Sequence, residues 1–166
     1  MSQTHAATRA AGPTQAERLV RLRMASLGVV VMLIIEFILG MIYNLYGTAP
    51  TSTKAIGLFS IPTIALHVIV GILLGLAAIV QLVRAIGTRH SLSIWLSALG
   101  LLSIIGAGFA GLGFSGSGAA GASLGMSLAF AAALACYVAL VVVLPSAASR
   151  AAPAARASGD GSSSTT

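Results

Sequence analysis

Two ionisable residues stand alone inside long apolar stretches: Glu36 in the segment IEFILGMIYNLYG and His67 in the segment LHVIVGILLG. A carboxyl group and an imidazole are common partners in proton transfer. Steps of three and four residues from Glu36 reach Gly40, Tyr43, Asn44 and Gly47, so a helix would gather the polar and smallest residues of this stretch on one stripe. From His67 the same steps reach Gly71, Gly75 and Ala78, a small-xxx-small face that lets helices approach closely. The two stripes predict a buried polar network of Glu36, Tyr43, Asn44 and His67. Glu36 lies about ten residues from the end of its stretch and His67 about five, an offset of roughly 7 Å along the helix axes. Tyr43 and Asn44 match His67 better in depth, and Tyr43 or a water would bridge the remainder.

Other chemistries leave weaker marks. His67 is a candidate haem ligand, with Met41 as a thioether at nearly the same depth, but a bis-histidine site would need a second buried histidine. His5 lies in the N-terminal tail and His90 at the edge of the apolar region. Cys136 is the only cysteine, so the chain has no internal disulfide and no cysteine-based metal framework. The cluster Gly106, Gly108, Gly111 and Gly113 has neither the preceding strand nor the following Lys-Ser/Thr pair of a phosphate-binding loop. No HExxH, paired acids, Ser-His-Asp set or nucleotide motif is present, so the sequence points away from an enzyme.

The elements that must hold Glu36 and His67 are membrane helices. Of the 166 residues 57% are hydrophobic and only 7% charged, far below the roughly 25% charge of soluble domains. Mean hydropathy is +1.00. A helix needs about 20 apolar residues to cross the hydrocarbon core, and the chain holds four such runs, predicted at 25–46, 62–85, 92–114 and 120–144. Pro62 suits the first turn of the second span, Gly87 to His90 form a tight basic turn, Ser115 to Gly118 turn the chain again, and Pro145 is expected to close the fourth. Each run lacks the alternation of a barrel strand, and only helices or closed barrels satisfy every backbone group in lipid. The predicted fold is all-α, a transmembrane four-helix bundle running up-down-up-down. A basic tail at 1–24, helical only near its end, precedes it, and a disordered tail at 145–166 follows. The first span does not fit a cleaved signal peptide: it is too long, carries Glu36, and ends in Tyr and Asn residues rather than a small-residue cleavage site.

A carboxylate at the bilayer centre costs about 2.5–3.5 kcal/mol on insertion scales. Glu36 is therefore expected to face the bundle rather than lipid, as a proton carrier or the anchor of a polar network. Helix packing is assigned to Gly40, Gly71, Gly75, Gly100, Gly111, Gly121 and Gly125.

Orientation follows from the basic residues. Four arginines precede the first span, two lie between the second and third and two follow the fourth, whereas Lys54 alone falls on the other side. Lys and Arg favour cytoplasmic loops, so both termini and the 84–91 turn are expected in the cytoplasm. The formal net charge of +6 is carried beside apolar spans without an aromatic-basic recognition module, which points to anionic lipid headgroups rather than nucleic acid.

The segments IEFILGMIYNLYG and LHVIVGILLG resemble those of small four-span membrane proteins of unknown function from prokaryotes, in particular actinobacteria, over about residues 30 to 144. The resemblance implies a four-helix fold and a bacterial plasma membrane, and brings no activity with it. The leading functional expectation is an accessory or structural membrane subunit that associates with other membrane proteins or itself. One alternative is proton-coupled small-molecule transport through Glu36, because an acid in the first of four spans is similar to the small multidrug-resistance exporters. The other is a membrane redox protein with haem on His67.

Overall fold

The computed structural model describes residues 14–48, 50, 51 and 53–159, with side chains described as far as Leu144. The described chain is four α-helices: α1 (Gln15–Tyr46), α2 (Pro62–Thr88), α3 (Ser91–Ser117) and α4 (Ala120–Gly159). All four contain stretches long and apolar enough to cross a membrane, that of α4 being Ala120–Leu144. Large apolar side chains such as Val31, Ile38, Ile72, Leu102, Phe109 and Leu128 are exposed along them, a surface that suits lipid and not water.

Helices α2 and α3 run three residues past their expected ends, to Thr88 and Ser117, so that Ser115 to Ser117, expected in a turn, are helical; two other boundaries differ by ten residues or more. Helix α1 begins ten residues before the predicted span because Thr14 and Glu17 form a reciprocal capping box: the Thr14 side chain accepts from the Glu17 N–H, and the Glu17 carboxylate accepts from the Thr14 N–H. Two otherwise unsatisfied backbone donors are thereby paired. At the other end, α4 does not stop at Pro145 but continues to Gly159. Proline removes one helical hydrogen bond, and the following alanines are the strongest helix formers, so the helix persists where a tail without structure was expected. Residues 1–13 and 160–166, with Arg9 and His5 among them, lie outside the described residues.

The helices form a ring: α1 packs on α2, α2 on α3, α3 on α4, and α4 returns to α1, with no diagonal contact among the described residues. Contacts run in opposite order along neighbouring helices. Gln15 Nε2 donates to the Thr88 carbonyl at 2.9 Å, Gln81 meets Ser26, and Glu36 meets His67. On the other pair, Gly100 faces Tyr137 and Gly111 faces Met126. Phe37 and Phe130 stack between α1 and α4 with ring centroids 5.4 Å apart.

Tight packing is confined to one half of the ring. Each helix contributes a stripe with three- and four-residue spacing: Leu19, Leu22, Ser26, Val29 and Leu33 from α1, and Leu74, Ala78, Gln81, Ala85 and Thr88 from α2. Ser93, Ser97 and Gly100 come from α3, and Ala133, Tyr137, Leu140 and Leu144 from α4. All of these lie towards the α2–α3 turn, which consists only of Arg89 and His90. Towards the longer α1–α2 connection, no helical residue among those described is fully buried.

That connection is seated across the opposite end. Thr51 and Lys54 exchange two backbone hydrogen bonds of 3.1 Å, and the Ile56 N–H donates to the Ser115 carbonyl at 3.1 Å. Gly118 caps α3 in the left-handed region with φ 67°, and the Pro50 carbonyl sits where a β-carbon at Gly118 would be. The connection is thereby fastened to the turn between α3 and α4.

Candidate functional site

Helices α1 and α2 bring Glu36 and His67 together. His67 Nδ1 lies 3.1 Å from Glu36 Oε1, although the two atoms are not aligned as a hydrogen bond. The second carboxylate oxygen, Oε2, is buried and has no hydrogen-bond partner among the described residues. The pair is mostly enclosed, and His67 is its more accessible member: the Glu36 side chain is 13% exposed and that of His67 32%.

Two glycines make the approach possible, each across from the other helix's ionisable residue. A β-carbon at Gly71 would fall 2.9 Å from Glu36 Oε1, and one at Gly40 would fall 3.5 Å from the His67 ring. Glu36 and Gly40 are one turn apart on α1, as are His67 and Gly71 on α2; with Glu36 level with Gly71 and Gly40 level with His67, the two ionisable residues stand about 6 Å apart along the axes, close to the expected offset, and their side chains span it. Glu36 sits one turn beyond Leu33 and His67 two turns beyond Leu74, the last buried side chains of α1 and α2, where tight packing gives way to the looser half.

The other two members of the predicted network are elsewhere. The Tyr43 hydroxyl donates to the Thr48 carbonyl at 2.6 Å, which ties the end of α1 to its own loop. Asn44 is exposed and makes no hydrogen bond to the other three. Of the stripe, Glu36 and Gly40 face α2, whereas a nearby backbone acceptor captures Tyr43. Met41 is also exposed, about 100° round the helix from the glycine that touches His67, so it is not presented to that ring. Nδ1 faces Glu36, leaving Nε2 as the nitrogen a haem iron or another ligand would meet. Among the described residues no three His, Cys, Asp or Glu side chains gather as a metal site.

The packing glycines divide in a similar way. Gly100 lies against the Tyr137 ring, and an added β-carbon would fall 3.5 Å from Met126 Sδ at Gly111 and 3.9 Å from the Ala110 β-carbon at Gly125, as helix contacts require. Gly75 and Gly121 have nothing within 4 Å of an added β-carbon and do not sit at a helix contact. For Gly75 the reason is angular: the buried stripe of α2 passes through Leu74 and Ala78, on one side of it.

A second polar cluster lies in the tightly packed half and was not anticipated. Gln81 Nε2 donates to the Leu22 carbonyl at 3.1 Å and to the Ser26 hydroxyl, which itself donates to Leu22 O at 3.0 Å. Ser97 and Tyr137 contribute from α3 and α4, so every helix places at least one polar side chain in the buried stripes. Gln81 Oε1, Ser97 Oγ and Tyr137 OH are buried without hydrogen-bond partners among the described residues, a condition that costs about 1–3 kcal/mol per group. The available signal was Gln81, the only amide side chain in the second apolar run. No family model, no curated protein and no solved structure matches this chain.

Proposed function

We propose that the protein is an accessory or structural subunit of a bacterial plasma membrane, with Glu36 and His67 as the polar contact through which another membrane helix docks. The observation that carries this reading is the His67 imidazole, about one-third exposed beside the enclosed Glu36 carboxylate. Lipid tails offer no hydrogen-bonding group to such an imidazole, whereas a polar side chain on a neighbouring helix does. The looser packing around the pair leaves room for that helix.

The bundle is read as up-down-up-down with both termini in the cytoplasm. The residue pairs between neighbouring helices support the alternation, and the concentration of arginines at one end supports the orientation. A tag on either terminus is expected to remain inaccessible to a membrane-impermeant reagent in intact cells, and a label at Lys54 to be accessible. Labelling of either terminus from outside would reverse the assignment.

Docking is tested by placing a photoreactive residue at Thr63, one turn from His67 on the same face. A discrete protein adduct is expected in cells, either to another membrane protein or to a second copy of the chain, and Glu36→Leu is expected to remove it. Adducts to lipid alone, unchanged by Glu36→Leu, would end this reading. The 3.1 Å approach of a carboxylate to an imidazole supports proton-coupled transport as a second reading. In that case reconstituted vesicles carry a proton flux that Glu36→Gln abolishes.

A further inference from the structure

Away from the Glu36–His67 pair, the α1–α2 seam carries a groove with two chemically different parts. At the end near the α2–α3 turn, Arg18, Arg21 and Arg84 line a hollow of about 560 Å³ together with Leu22, Met24 and Ala25. It continues into a hollow of about 400 Å³ walled by Gly28, Val29, Met32, Ala77 and Val80. Ala25 and Arg84 line both, so the cationic and apolar parts are one surface.

We propose that this groove binds one anionic phospholipid, such as phosphatidylglycerol, with its phosphate between Arg21 and Arg84 and one acyl chain along Ala25, Gly28 and Ala77. The charge arrangement calls for an anion. Three guanidinium groups of like sign share one hollow, and among the described residues neither Arg21 nor Arg84 has a hydrogen-bond or ion-pair partner. The nearby acid, Glu17, is held in the α1 capping box. Glu36 lies fifteen residues beyond Arg21 on α1, about 22 Å along the axis. Arg18 reaches towards the end of α2, donating to the Gly87 carbonyl at 3.4 Å, which keeps α1 and α2 together at the headgroup end. Guanidinium groups bind phosphate oxygens through a planar fork of donors, and basic hollows between membrane helices are suited to anionic headgroups.

The apolar extension selects a lipid over a free anion. Its wall is kept low by Gly28 and Ala77, and an added β-carbon at Gly28 meets no protein atom within 4 Å. A larger side chain there would occupy the groove without colliding with the protein. Inorganic phosphate would satisfy the arginines and leave this half unused.

The full-length protein in detergent micelles is titrated with spin-labelled phosphatidylglycerol. Saturable binding is expected, displaced by unlabelled phosphatidylglycerol but not by phosphatidylcholine or inorganic phosphate. Loss of one arginine is expected to weaken binding about fivefold, and Arg21→Gln with Arg84→Gln roughly thirtyfold. Gly28→Leu is expected to weaken it by filling the chain groove, whereas Gly108→Leu, at another open helical position on α3, leaves it unchanged. Equal binding of phosphatidylcholine, displacement by inorganic phosphate, or unaltered binding by Gly28→Leu would overturn the proposal. Circular dichroism accompanies each variant. Should the double arginine variant lose helix, the comparison of Gly28→Leu with Gly108→Leu decides the matter alone.

Discussion

Gly118→Ala is expected to destabilise the protein by about 2–5 kcal/mol, the sum of two separable effects. Gly118 ends α3 in the left-handed region, with φ 67° and its N–H donating to the Phe114 carbonyl at 2.7 Å. A β-carbon in that conformation costs about 1–2 kcal/mol through contact with its own carbonyl. It would also strike the Pro50 carbonyl, a backbone group that can yield only if the α1–α2 connection lifts from the α3–α4 turn. Gly118→Asn separates the terms, since asparagine tolerates the left-handed region but still carries the β-carbon. Gly116→Ala is the control, because nothing lies within 4 Å of a β-carbon there. Reversible unfolding in detergent measures all three. A loss below about 1 kcal/mol for Gly118→Ala would mean that the connection is not fastened to the turn.

Gly100→Ala is expected to cost about 1–3 kcal/mol through overpacking, partly offset by the better helix propensity of alanine. The added β-carbon would fall 2.7 Å from Tyr137 Cε2 and 2.9 Å from Cζ. Tyr137 is wholly buried, so its rigid ring has no free end to swing aside, unlike the Glu36 carboxylate opposite Gly71. Combining Gly100→Ala with Tyr137→Leu should recover most of the loss, giving a coupling energy of about 0.5–3 kcal/mol in a double-mutant cycle. Tyr137→Phe alone is expected to be neutral or stabilising, because it removes a buried hydroxyl that has no partner. Independent, additive effects of Gly100→Ala and Tyr137→Leu would show that this contact does not hold α3 to α4.

The four apolar helices were legible because a bilayer imposes length and composition on every crossing segment. Pro62 appears at the start of α2 as expected. The reach of α1 back to Gln15 was written in Thr14 and Glu17, a capping signal three residues apart that the apolar pattern conceals. Extension of α4 past Pro145 was not legible, because proline is a stop signal whose effect depends on the residues that follow it. Periodicity placed Glu36, Gly40, His67 and Gly71 on facing stripes, yet could not say that Tyr43 would find the Thr48 carbonyl first. Ser26, Gln81 and Tyr137 are hard to single out because an isolated uncharged polar residue in an apolar run has no periodic partner of its own kind, and Ser97, one turn from Ser93, reads as one of several small residues. Their common stripe emerges only when four helices are assembled.

The division of the bundle into a tightly packed half and a looser half sets where the sequence is free to drift. Around Gly100 and Tyr137, helix packs closely on helix, and few changes in volume are admissible. Around Glu36, His67 and the facing glycines, no helical side chain among those described is fully enclosed, so shape can change there without disturbing the clamp at the other end. Such a molecule can acquire new contacts at one end while inheriting its fold from the other.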